Sequence, residues 1–210
     1  MYGGSSWGPA KLPSDVAVVE RSRVPDQVID LVCSEAASVV GRPDLVLELW
    51  SDLGEMLPRA LATLGAEQGL ALRSAPQAIG PQQLEPVQSE SKIRYGLMAD
   101  GPVPAQVVVG VLPWRWAPQP ARVQTPDGDV DLVDDPACVA LLRACWLMPR
   151  PGVAGVVVGP GFFARRGPDS VAANLSRLGL RVINVHTLDR GAFRPAAARG
   201  RLLLVLGHNP

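Results

Sequence analysis

Asp44-Leu-Val-Leu-Glu-Leu49, followed by Leu53-Gly-Glu-Met-Leu-Pro-Arg-Ala-Leu-Ala-Thr-Leu64 and then Gly65, decides the fold. The first run is short and almost wholly apolar, as in a strand covered on both faces. The second returns to helical spacing, and the glycine closes it. Upstream, Pro25 suits a helix start, and Val28, Ile29, Val32, Cys33, Ala36, Val39 and Val40 recur at helical spacing before Gly41. Helix, strand and helix therefore alternate from about Val24 onward.

The alternation continues downstream. Gly69–Leu72, Ile93–Leu97, Gln106–Leu112, Val153–Gly159, Leu180–His186 and Arg201–Leu206 read as further strands, giving about seven. A helix through Leu141, Leu142, Cys145 and Trp146 is expected, with Asp134 or Asp135 as its cap and Pro149 as its stop. Pro168 to Leu178 is expected as another, stopped by Gly179. The acidic residues 127, 129, 131, 134 and 135 read as a loop, after Pro113-Trp-Arg-Trp-Ala-Pro-Gln-Pro120 has taken the chain out of the sheet by removing backbone donors. Strands with helices between most of them imply a doubly wound α/β domain. The last two runs lack a helix between them, which permits an antiparallel final strand at the sheet's end.

Composition excludes several classes. The 210 residues, 47% apolar and 19% charged, suit one domain over 24–210, and residues 1–23, rich in Gly, Ser and Pro, read as a flexible arm. Twenty basic against twenty acidic side chains leave no overall drive toward phosphate backbones, so nucleic acid would have to meet a local patch. Cys33, Cys138 and Cys145, with His186 and His208, make neither a disulfide framework nor a metal cluster, so no metal is expected. No leader pattern and no apolar run of roughly 20 residues is found, so the expected setting is soluble and cytoplasmic, without a membrane.

In order of segments, residues 24 to 207 resemble the S-adenosylmethionine-dependent methyltransferase fold, and in particular the N6-adenine DNA methyltransferase family that includes the modification subunits of type I restriction systems. Val24-Pro25 is similar to the family's Thr-Pro entry. Leu47-Glu-Leu-Trp-Ser-Asp-Leu-Gly-Glu-Met-Leu57 stands in the place of its Asp-x-x-x-Gly-x-Gly cofactor loop, and Val107-Val-Val-Gly-Val-Leu-Pro-Trp114 in the place of a strand ending in Asn-Pro-Pro-aromatic. Gly155-Val-Val-Val-Gly-Pro-Gly-Phe-Phe-Ala-Arg-Arg-Gly167 and the segments after it follow the family order. The resemblance implies a Rossmann-like, mostly parallel seven-stranded sheet with an antiparallel last strand. It also implies that any cofactor would be S-adenosylmethionine, held by Glu48, Asp52 and Gly54.

The departures fall on the chemistry. Gly54 alone remains of the loop's glycines, Trp50, Asp52 and Leu53 crowd the turn, and Gly69-Leu-Ala-Leu-Arg-Ser74 lacks the carboxylate that the family uses on the ribose. Val111 and Leu112 stand where the family has Asn and Pro, and a valine side chain accepts no hydrogen bond. Glu48 also suits capping the turn after its strand, and His186 suits a structural pairing. Pro113, Trp114 and Trp116 suit a base-stacking or partner surface or core packing, and Arg165 and Arg166 suit phosphate contact or simple solvation. The reading that follows is an inactive, methyltransferase-like binding or assembly module with no catalytic residue and no cofactor, working with a protein partner or a second copy, in a setting such as restriction-modification or defence. The alternative is an active, divergent S-adenosylmethionine-dependent methyltransferase acting on nucleic acid or a small molecule.

Overall fold

A computed structural model of the chain describes residues 24–51, 56–73, 93–97, 103–112, 119–125, 128–134, 136–159, 162–163, 170–189 and 201–208. In chain order these form α1 (Asp26–Val40), β1 (Leu45–Leu49), α2 (Leu57–Leu64), β2 (Gln68–Arg73), β3 (Ile93–Leu97), β4 (Val107–Val111), β5 (Gln119–Thr125), β6 (Gly128–Asp134), α3 (Pro136–Leu147), β7 (Val153–Val158), α4 (Val171–Arg177), β8 (Leu180–Leu188) and β9 (Arg201–His208). The expected arm, residues 1–23, lies outside the described residues.

Seven strands form one sheet in the order β3-β2-β1-β4-β7-β9-β8. All neighbours as far as β7 pair in parallel. The last strand, β9, is antiparallel to both β7 and β8. It therefore lies inside the sheet and not at its end, a correction to the expected placement. The edge is β8, tied down by α1: Glu35 Oε1 lies 2.6 Å from His186 Nε2 and accepts from Asn184 Nδ2 at 3.0 Å.

Strand alternation divides the core into two layers. Val46, Val107, Val109, Val111, Val157, Leu203 and Val205 face α1 and α2. Leu47, Val108, Val156, Val158, Leu204 and Leu206 face α3 and α4. α1 packs closely because β7 has glycine at its crossing: a Cβ on Gly155 would lie 2.7 Å from Val32 Cγ1. Cys33, Cys138 and Cys145 are buried and free. Burial pushes the Cys33 thiol up to about 11 and raises that of Cys145 further, so neither supplies a thiolate nucleophile at neutral pH.

The second correction concerns the acidic stretch. Residues 128–134 form β6, antiparallel to β5 from Gln119↔Asp134 to Thr125↔Gly128, and the two make a separate ribbon. Asp129 and Asp131 are exposed while Leu132 is buried beside Val123 against the α3 face, so the charges line the solvent side of a hairpin. Asp134 ends β6, two residues before α3 begins. It is 2% exposed and accepts from Asn174 Nδ2 at 2.8 Å, and fully buried Asn174 accepts in turn from Arg177 Nη1 at 3.1 Å. That polar link ties the hairpin to α4.

Among the described residues, no helix is long and apolar enough to cross a membrane.

Candidate functional site

In an open, doubly wound sheet, ligands enter the crevice beyond the carboxyl ends of the strands where the chain's winding reverses. Here that point is β1, which pairs with β2 on one side and with β4 on the other. The described residues at this crevice are Glu48 at the end of β1 with Trp50 and Ser51 after it, Leu72 and Arg73 at the end of β2, and Val111 and Leu112 at the end of β4.

Glu48 shares the face of Val46 and points its carboxylate at the start of α2. Oε1 accepts from the Met56 amide at 2.7 Å and Oε2 from the Leu57 amide at 3.1 Å, with the residue 1% exposed. A helix start carries amides without intrahelical partners and a partial positive charge, so a carboxylate there offsets both. Met56, the N-cap residue, makes no side-chain capping hydrogen bond, and Pro58 lies in the helix's first turn. Glu48 takes the capping role from the preceding strand.

Trp50 departs from strand geometry. Alternation would send its side chain toward α2 with Val46 and Glu48, but its φ is 55°, in the left-handed region. The indole instead joins the apolar cluster on the α3 face, which also holds Leu49, Leu72 and Leu112, and is 3% exposed. That backbone conformation costs a non-glycine residue about 1–2 kcal/mol. Burying an indole of roughly 150–250 Å² contributes about 4–6 kcal/mol, so burial wins and holds the turn. Ser51 then donates its amide to the Leu72 carbonyl at 3.0 Å, and its Oγ is buried without a hydrogen-bond partner among the described residues.

The described end of β4, on the far side of the crevice, is apolar. Val111 faces the α1 layer and Leu112 the α3 layer, and the Leu112 amide donates to the Val157 carbonyl at 2.9 Å. Gly110, opposite Leu49 in the β1–β4 register, admits a close backbone approach: a Cβ there would lie 2.5 Å from the Leu49 carbonyl oxygen. Beyond β7, Phe162 and Phe163 meet edge to face with centroids 5.1 Å apart, and Phe163 is exposed.

Of the residues that the sequence singles out, Glu48 stands in the crevice. Asp52, Gly54, Pro113, Trp114, Trp116, Arg165 and Arg166 lie outside the described residues. Sequence reasoning missed Ser51, Asn174 and the Asp134 link, since nothing in their spacing marks them. Among the described residues, no three His, Cys, Asp or Glu side chains stand together as a metal site.

The sheet order and its antiparallel insertion define the Rossmann-like fold of class I S-adenosylmethionine-dependent methyltransferases. Solved structures with this fold include a Pyrococcus horikoshii protein provisionally assigned as an RNA methyltransferase, at TM-score 0.58 and 14% identity over 95% of this chain and 89% of that one. The Burkholderia thailandensis 1,6-didemethyltoxoflavin-N1-methyltransferase, solved with S-adenosylhomocysteine, matches at TM-score 0.52 and 15% identity over 88% and 80%. A 23S rRNA methyltransferase matches at 0.51 and 16% over 86% and 68%. No protein-family model matches the sequence, and no curated protein is detectably similar to it.

An adenosyl cofactor needs an open turn after β1 and acceptors for its ribose. In this chain an indole stands at the turn, the described end of β2 holds Leu72 and Arg73 and no carboxylate, and Glu48 is bound to α2. The described residues do not fit that group.

Proposed function

We propose that this chain is a methyltransferase-fold domain without methyl transfer, working as a binding or assembly module. One observation carries the reading: Glu48, the one carboxylate at the described ends of β1, β2 and β4, has both oxygens engaged by the first amides of α2. Among the described residues, that leaves no carboxylate at the crevice for a ribose or for taking up a proton. With Val111 where an amino-group acceptor would be needed, methylation of an exocyclic amine has no support from the end of β4.

The module's partner is a second copy, a catalytic methylase, or a restriction or defence component, met through Pro113, Trp114 and Trp116. Tryptophans leading out of a strand end suit an anchor for such an interface. Arg165 and Arg166 are the local patch for nucleic acid. On the β5–β6 hairpin, Arg122 is held by Asp131 at 2.7 Å and by Asp129 at 3.6 Å and adds no free cation to that patch. Sedimentation velocity of the purified chain tests the surface. Self-association that Trp114→Ala with Trp116→Ala weakens at least tenfold, with unchanged circular dichroism, is expected; association untouched by the pair removes this surface from the account.

A second reading, an active divergent methyltransferase acting on nucleic acid or a small molecule, draws on the fold neighbours, one of them solved with S-adenosylhomocysteine. It requires Glu48, Asp52 and Gly54 to hold S-adenosylmethionine. Methyl transfer from S-adenosylmethionine to an acceptor, weakened by Glu48→Ala, would establish it in place of the first.

A further inference from the structure

We propose that Trp50 is an internal plug, its indole standing where a nucleoside ligand's purine would lie in the switch-point crevice. The inference rests on the reading of the chain as a cofactor-free module and adds the residue that enforces it. Three observations meet at this position. The backbone keeps φ 55°, a conformation that glycine adopts without strain, under one of the largest side chains. The indole lies on the opposite face of the sheet from the one strand alternation would give it, in the cluster that holds Leu72 and Leu112, the ends of the two strands flanking β1. It is 3% exposed, so the space it fills is closed to solvent by the chain itself.

The chemistry of the occupant follows from its shape. Indole and purine are both planar, fused five- and six-membered rings of nearly equal area, and an apolar slot that accepts one suits the other. Indole brings its ring on a covalent tether and needs no ribose carboxylate at the end of β2, which matches the Leu72-Arg73 end found there. The plug therefore excludes adenosyl compounds by occupancy, and removing it should restore a purine-sized cavity.

The test uses the full chain and Trp50→Gly, with Trp50→Ala as the second variant in case the glycine variant does not fold. Each is titrated calorimetrically with S-adenosylhomocysteine and with adenosine, and its melting temperature is followed with those two ligands and with free indole. The unsubstituted chain is expected to give no saturable heat. A folded variant is expected to melt lower, to be raised by indole and by S-adenosylhomocysteine, and to bind the latter at least tenfold more tightly than the unsubstituted chain does. A folded variant rescued by indole but indifferent to both nucleosides overturns the plug and leaves the cofactor-free reading standing. Saturable binding to the unsubstituted chain overturns that reading together with the plug.

Discussion

Glu48→Ala is expected to lower the free energy of unfolding by about 3–5 kcal/mol, since each buried amide left without an acceptor costs roughly 1–3 kcal/mol and a cavity is added. The two amides are those of Met56 and Leu57, and the carboxylate that serves them is 1% exposed. Glu48→Gln, which keeps one acceptor oxygen, is expected to lose about half as much. Urea denaturation followed by far-ultraviolet circular dichroism measures both. A loss below about 1 kcal/mol in the alanine variant would mean that α2 does not depend on this cap. The distinction bears on function, because a carboxylate kept for a ligand would show its loss in affinity and not chiefly in stability.

Gly110→Ala is expected to cost about 2–3 kcal/mol, the usual penalty of overpacking a close-packed interior. A Cβ at this position lies 2.5 Å from the Leu49 carbonyl oxygen, and a backbone atom in a paired strand cannot swing aside as a side-chain tip would. Strands β1 and β4 must separate at the crevice, next to the left-handed turn at Trp50. The expected result is a reduced denaturation midpoint with an unchanged slope. A stability equal to that of the unsubstituted chain would show that the two strand ends have room to part.

Much of the architecture is legible in the residues themselves. Apolar runs such as Leu45–Leu49 and Val107–Val111, too short for helices and with Glu48 their one charged residue, mark strands buried on both faces, and the 3.6-residue spacing from Val28 to Ala36 marks α1. The hairpin is harder to read because Asp129 and Asp131 draw attention as charges. The same residues alternate with Val130 and Leu132, the period of a strand with one wet face. The place of β9 between β7 and β8 is not legible at all, because periodicity carries no information about strand order.

The candidate site divides the same way. An acid at the end of β1 is visible in the sequence, but whether it meets a ligand or a helix depends on where α2 begins, and that is a matter of tertiary geometry. Trp50 is visible as an obstruction in the turn. Its φ of 55° is not, because steric preference places a bulky residue after a strand in the extended region and only the burial of its ring overrides that preference.

The central claim, a methyltransferase fold that works without the cofactor, is tested most directly by calorimetric titration of the folded, unsubstituted chain with S-adenosylhomocysteine. The account predicts heats of dilution only, up to millimolar ligand. A saturable isotherm with one site per chain would contradict it.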